Sequence, residues 1–538
     1  MTTFFHSFIK CLRSDTNFFG YITLRIALFY DKTFNDKHTL GVTLLQSVQE
    51  DKKENVNVAV ENLPADNLKY YDMGSGLVTN TIGSSMIKWN MASFMGRINY
   101  NYLGRYLLTV SARYDGSSRL ADGHKWVLFP SAALAWRINE ESFMSSTSGW
   151  LDNLKLRLGF GKTGNSAVDP YQTKGTLSLI RYPFDNGGTP TIGYAPNAMA
   201  NSLLTWETTD QWNLGIDFGV LRGRINGTID LYMQNTHDLL LKRQLPVVSG
   251  FPDVLSNVGK TRNKGIEVSI NSMNINSKDF QWTTDLMLSS NKEEIVELYN
   301  GKNDDIGSKW FIGQPVNVHY DYRKVGIWQN TESDLAEMAK FAANGTEFAP
   351  GDIKIQDVNG DYKITDADKQ ILGNPRPKLI ASMVNTFNYK GFDLSVFLYA
   401  SFGAMLYNDI YALEHCGRNG GVKVDYWTPN NPTNAYPRPS IDEERPIYIT
   451  STYYEKADFL RVKTMTLGYT LPKDLTKKFL VEKLRVYFTA QNPFVFTNYT
   501  GIDPEAAKVD DAGNPKTDGS GFGTPSVSSW IFGINLTL

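Results

Sequence analysis

The stretch WIFGINLTL, residues 530–538, ends the chain and sets how the rest is read. Trp530, Phe532, Ile534, Leu536 and Leu538 share one parity, and Ile531, Gly533, Asn535 and Thr537 share the other. Apart from Ile531, one side is apolar and the other small or polar. That is the period of a strand between two different surroundings. It continues to a terminus, where chains normally fray into polar tails.

The same period recurs upstream. LDNLKLRLGFG sets Leu154, Leu156, Leu158 and Phe160 against Lys155, Arg157 and Gly159. QWNLGIDFG alternates Trp212, Leu214, Ile216 and Phe218 with Asn213, Gly215, Asp217 and Gly219. GIEVSIN and LRVYFTAQ repeat it at Ile266, Val268, Ile270 and at Leu484, Val486, Phe488. Roughly 16–18 such segments can be read, many near the ~10-residue length of membrane-barrel strands. Helical periodicity is confined to short stretches, 331–343 and 474–479.

The links between segments alternate in length. Backward from the end, 494–525 is long, 473–481 short, 404–455 long, Lys390–Gly391 minimal and 329–376 long. YLGR (102–105) and LRG (221–223) are further short turns. Short turns at one rim and long loops at the other are the asymmetry of outer-membrane barrels. A soluble propeller would show an internal repeat of ~40–50 residues, and none is found. A soluble sandwich would also alternate, so the pattern favours the barrel without excluding it.

Composition agrees. The 538 residues carry 54 basic and 56 acidic side chains, so nothing points to a nucleic-acid partner. With 29 Phe, 28 Tyr, 11 Trp and 44 Gly, the mix favours strands and turns. The two cysteines, Cys11 and Cys416, stand too far apart in sequence to read as a disulfide framework or metal cluster. No apolar run reaches about 18 residues, which excludes a transmembrane helix but not a barrel. The N-terminal stretch MTTFFHSFIKCLRSDTNFFG is broken by His6, Lys10 and Arg13 and does not read as a signal peptide.

Seven ordered blocks resemble one family, the SusC/RagA-type TonB-dependent outer-membrane transporters of the Bacteroidota. They are RYLLTVSARYDGSSRLADGHKWVLFPSAALAWRINEE (105–141), LDNLKLRLGFGKTGN (151–165), WETTDQWNLGIDFG (206–219), NVGKTRNKGIEVSI (257–270), GDIKIQDVNGDYKITDADKQILGNPRPKL (351–379), ADFLRVKTMTLGYTLP (457–472) and LRVYFTAQNPFVFTNYTGIDPE (484–505). The resemblance implies an all-β, antiparallel outer-membrane β-barrel. It also implies an incomplete one, roughly 16–18 of an expected 22 strands, because the family's signal peptide, TonB box and plug find no counterpart. Residues 21–538 correspond to the C-terminal barrel portion, and 1–20 are an unassigned segment.

The resemblance further implies import of an oligosaccharide or peptide, with no bond chemistry. Its partners would be a SusD-like surface lipoprotein as lid, the TonB complex as energy source and outer-membrane lipid. A non-transporting surface or adhesion protein, or a gene remnant unable to act alone, are the competing readings. The closing strand Trp530, Phe532, Ile534, Leu536 and Leu538 would act as assembly signal. With its partner strand missing, it is expected to lie at a free edge.

Local motifs add candidates. In DVNGDYKITDAD, Asp357, Asn359, Asp361, Thr365 and Asp368 fall at positions 1, 3, 5, 9 and 12 of a calcium-loop spacing, with the Lys363 carbonyl at 7. Tyr362 stands where a sharp turn wants Gly, and Asp368 where a longer Glu is usual. A polar loop held by Asx turns reads equally from the same residues. GFGKTG (159–164) follows a strand but precedes Pro170 instead of a helix, so the phosphate-loop reading fails. EHCG (414–417) lacks companions for zinc. In YWTPNNPTNAYPRP, Tyr426, Trp427 and Tyr436 are candidates for stacking on sugar rings, against a Pro-braced loop packing on its neighbours.

Overall fold

The computed structural model describes residues 11–61, 66–75, 78–184, 191–408, 423–439, 446–477, 481–505 and 525–537. Fifteen strands form one sheet whose neighbours follow chain order throughout. They are β1 (Cys11–Phe34), β2 (His38–Glu61), β3 (Val78–Tyr102), β4 (Tyr106–Ser117), β5 (Trp126–Arg137), β6 (Leu151–Asn165), β7 (Glu207–Val220) and β8 (Ile225–His237). There follow β9 (Lys260–Asn276), β10 (Phe280–Glu297), β11 (Leu379–Tyr389), β12 (Phe392–Phe402), β13 (Phe459–Thr470), β14 (Lys483–Thr497) and β15 (Ser529–Thr537).

The all-β antiparallel reading is therefore met. Among the described residues fifteen strands join the one sheet, and two further pairs, 176–182 with 191–198 and 240–244 with 253–257, close on themselves as loop ribbons. β1 has β2 as its one neighbour in the strand order, and β15 has β14. The closing strand thus lies at an end of the order, with Leu538 outside the described residues.

The first strand begins earlier than the sequence reading placed it. Residues 11–20 run in register with 52–61, a tract of β2 that is charged on both parities around QEDKKEN (49–55). A tract charged on both parities carries no apolar alternation, so the period gives no signal there.

Turn chemistry sets the hairpins. Lys390 and Gly391 have φ of 44° and 94°, and Leu103 and Gly104 have 56° and 69°. Positive φ at both central residues matches the twist of the flanking strands. A meander returns every second link to the same rim. The links 35–37, 103–105, 277–279 and 390–391 alternate with 62–77, 118–125, 298–378 and 403–458.

The chain divides into two compact units. One unit comprises Met1–Trp136, Leu158–Trp212 and Gln234–Lys260, and the other Arg137–Arg157, Asn213–Met233 and Thr261–Leu538. In the first, register places Leu28, Leu44, Gly96 and Ala112 on one face of the sheet. Its opposite face is polar: Arg113 binds Asp115 at 2.7 Å and the Ser93 hydroxyl at 3.0 Å, and Thr109 donates to Asn99 at 2.9 Å. Aromatics ring the apolar face at two levels. His38, Tyr102, Tyr106 and Trp136 stack successively at 4.8, 6.3 and 6.3 Å. Trp126 stacks on Tyr114 at 5.0 Å and lies 6.3 Å from Phe94.

The apolar face is largely exposed, and buried apolar cores lie mainly in the long links. In the first unit Leu120, Val168, Leu204 and Trp206 close over Phe129. In the second, two clusters are built around Trp328 and around Ile327, Ile353 and Trp427.

Candidate functional site

Helix α1 (Glu332–Ala343) opens on Thr331, whose hydroxyl accepts the Asp334 N–H at 3.3 Å. The cap fixes one end, and Met338 and Phe341 face inward. Phe341 and Phe348 pack on Trp328 with centroids 5.9 and 5.5 Å away. Lys354 lies 4.0 Å over the Trp328 ring and binds Asp334 at 3.2 Å, joining helix to core.

The 357–368 loop is wrapped against this core. Asp357 accepts the N–H of Gly360 at 2.7 Å and of Tyr362 at 2.8 Å. Asn359 accepts Asp361 N–H at 3.0 Å, and Asp361 accepts Lys363 N–H at 2.8 Å. Asp368, fully buried, takes the N–H groups of Val358 at 3.0 Å and Thr365 at 2.8 Å, while the Thr365 hydroxyl caps the 366–368 turn. Tyr362 carries φ +57°, and its ring packs edge-on to Phe341 at 5.5 Å. A glycine would relieve the backbone and lose that contact. Among the described residues no three His, Cys, Asp or Glu side chains gather as a metal-binding group.

The aromatic candidates separate. Trp427 is 7% exposed, packs with Ile327, Ile353 and Tyr453, and donates its indole N–H to Gln329 at 2.9 Å. Gly351, at φ +95°, makes room for it: a Cβ there would fall 2.5 Å from the ring. Tyr436 is half-buried against the same cluster, and Tyr426 is exposed. Thus Tyr426 presents its ring outward, whereas Trp427 serves the loop core. EHCG lies outside the described residues.

Titration is perturbed in the same assembly. Burial pushes Lys324 down to about 8, with its ammonium donating to the Ala435 carbonyl at 2.6 Å. Burial beside Asp366 pushes Tyr322 up to about 12. Tyr454 is raised by burial and by Asp321, which accepts its hydroxyl at 3.1 Å.

The polar face of the second unit bears clasps that the sequence reading did not assemble. Arg157 on β6 binds Asp217 on β7 at 2.7 Å and Asp230 on β8 at 3.0 Å. It passes over Gly215, where a Cβ would be 2.6 Å from the guanidinium. Arg485 on β14 likewise crosses Gly468 on β13 to bind Asp393 on β12 at 2.5 Å. Arg461, almost wholly buried, binds Asp503 and Glu505, tying the last long link to β13. A glycine on the polar parity between charged strands was the available signal.

On β15 the expected parity is exposed: Trp530 by 59% and Phe532 by 81%, with Ile534 and Leu536 alike. Phe488 of β14 stacks between Trp530 at 5.7 Å and Phe532 at 4.8 Å.

Comparison with known proteins places this architecture. A family model described as TonB dependent receptor-like, beta-barrel, matches residues 12–492. The TonB-dependent receptor P3 of Formosa agariphila is 32% identical over 527 residues, 95% of this chain and 51% of that protein. The TonB-dependent receptor SusC of Bacteroides thetaiotaomicron is 34% identical over 464 residues, 83% of this chain and 43% of its own length. The chain thus spans about half the length of these relatives. Among solved structures, the RagAB peptide transporter superposes with a TM-score of 0.81 at 22% identity, covering 97% of this chain and 56% of the other.

Proposed function

Because the chain belongs to the TonB-dependent receptor family, by its β-barrel, we propose that it forms membrane wall and surface loops of an importer for an oligosaccharide or peptide. Homologues in this family are receptors and transporters, and their barrels reside in the outer membrane. One observation supports the reading above others: within the first unit the sheet exposes an apolar, aromatic-rimmed face while its other face carries Arg113 paired with Asp115. In water that arrangement is inverted economy; between lipid and an aqueous lumen it is the stable one.

In the second unit the links after β10 and β12 share a core. That assembly offers a seat for a SusD-like lipoprotein lid, with TonB as the energy source. The peptide option draws on the structural neighbour described as a peptide transporter, the oligosaccharide option on the resemblance to SusC. For the 357–368 loop, calcium is proposed as a stabiliser of the same assembly, using the carboxylate oxygens that also hold the backbone.

The test is deletion of the complete gene in its host, with growth scored on single oligosaccharides and on peptides. Growth should fail on one such class and persist on the corresponding monomers. Undiminished growth on every oligosaccharide and peptide source would sink the reading.

A further inference from the structure

We infer that the apolar face of β1–β5 binds a membrane lipid with a phosphoryl headgroup, the head among lysines above the upper aromatic row and a chain in a groove below it. The inference rests on the outer-membrane reading above. Alternate residues of β3 lie on that face, so Met86, Lys88 and Asn90 continue directly into Phe94 and Gly96. Tyr106 and Tyr114, at the two aromatic levels, are separated by about 27 Å of strand. Tilted, that span suits an apolar band about 25 Å tall. Lys125 adjoins Trp126 of the upper row, and Lys88 lies about 13 Å of strand beyond it. These lysines therefore stand at the level where lipid headgroups begin.

A cavity of about 540 Å³ opens there, and Lys88, Lys125 and Lys174 line it against one carboxylate, Asp122. Lys125 binds Asp122 at 2.5 Å, and Lys88 binds Glu50 at 2.9 Å. Both pairs are solvent-exposed, so each is weak and exchangeable for a phosphoryl oxygen. The Tyr171 hydroxyl accepts Lys88 N–H at 3.1 Å and holds the cavity wall to the strand. Arg119 lies 3.9 Å over Trp89, another lining residue, with its buried Nε lacking a hydrogen-bond partner and its charge balanced more distantly by Asp51 and Asp169.

The second observation is independent. A groove of about 430 Å³ lies lower on the same face, walled by Ile26, Leu28, Leu44, Phe94 and Leu128. Its floor is the cross-strand pair Gly96–Ala112. Gly96 has no positive φ, and a Cβ there would meet only Leu44 Cδ2 at 3.8 Å. The backbone therefore does not require glycine; what glycine provides is the width of an acyl chain. A cationic cavity with a separate apolar slot farther along the same strands fits an anionic amphiphile, head at one and chain at the other.

The test uses the complete protein extracted from its own outer membrane in mild detergent. Native mass spectrometry and phosphorus assay should find a retained phosphorylated lipid. The triple variant Lys88→Ser, Lys125→Ser, Lys174→Ser, and separately Gly96→Leu, should each lower retention at least fivefold, with heat-modifiable migration reporting an intact barrel. Gly96→Leu leaves every charge in place, so it separates the groove from general electrostatics. Undiminished lipid in both folded variants overturns the site. So does inorganic phosphate binding stripped protein as tightly as the lipid does, unaffected by Gly96→Leu, because that marks a free-anion site. Absence of the protein from the outer-membrane fraction would instead count against the membrane reading itself.

Discussion

Trp328 and Trp530 are the same side chain in opposite surroundings. Trp328 is fully buried in a loop, under Phe341 and Lys354, while Trp530 is 59% exposed on a sheet strand. In most proteins the sheet would hold the core and the loops would be wet. Here the sheet leaves its apolar face exposed, and the links supply their own cores. The difference teaches that stability is local in the loops and environmental in the sheet.

The comparison can be broken by truncation. Trp328→Ala should cost the loop assembly about 3–5 kcal/mol, as large buried aromatics do when removed. Trp530→Ala, which loses chiefly the stacking of an exposed ring on Phe488, should change stability in detergent by only about 1 kcal/mol. Chemical unfolding followed by near-ultraviolet dichroism measures both, and equal losses would erase the distinction. A smaller effect is expected from Asp357→Ala, which removes the acceptor of two backbone N–H groups and should cost about 2–3 kcal/mol. If that loss is the same with calcium and with chelator, backbone bracing is what the carboxylate contributes. A loss confined to calcium-containing buffer would make the loop a cation site.

The last effect is a slope. Lys324 is pushed below its ordinary value to about 8, so the unfolded chain binds its proton more tightly than the folded one. Between about pH 8 and 10.5 the unfolded state holds more protons, and the loop assembly should therefore gain stability as pH rises through that window. Lys324→Met should flatten the slope. A wild-type profile that falls across the window would show the ammonium to be well accommodated.

Strand parity made the sheet legible wherever its two faces differ: Leu154–Phe160, Trp212–Phe218 and Trp530–Leu536 all read correctly as strands. It gave no strand at residues 11–20, which pair with 52–61, a tract whose charges fall on both parities. Helix 331–343 was legible from its period and its Thr331 start. The loop cores were not. Nothing local distinguishes Trp427, buried at 7%, from exposed Tyr426 beside it, because the decision is made by Gly351 and Gln329 far off in sequence. The Arg157–Asp217–Asp230 clasp was hidden for a related reason. Its members lie on three strands, and only the small residue between them, Gly215, hints at the crossing.

The shared core of the two longest links has a kinetic consequence. Ile327 and Ile353 come from the link between β10 and β11, and Trp427 and Ile449 from the link between β12 and β13. Left as random coil, each excursion would oppose pairing of its flanking strands through loop-closure entropy. Folded together, they shorten the effective loop between the strands they join, which lowers the closure cost of pairing β10 to β13. The other sheet neighbours are joined either by tight hairpins, as at 35–37 and 103–105, or by longer links such as 166–206.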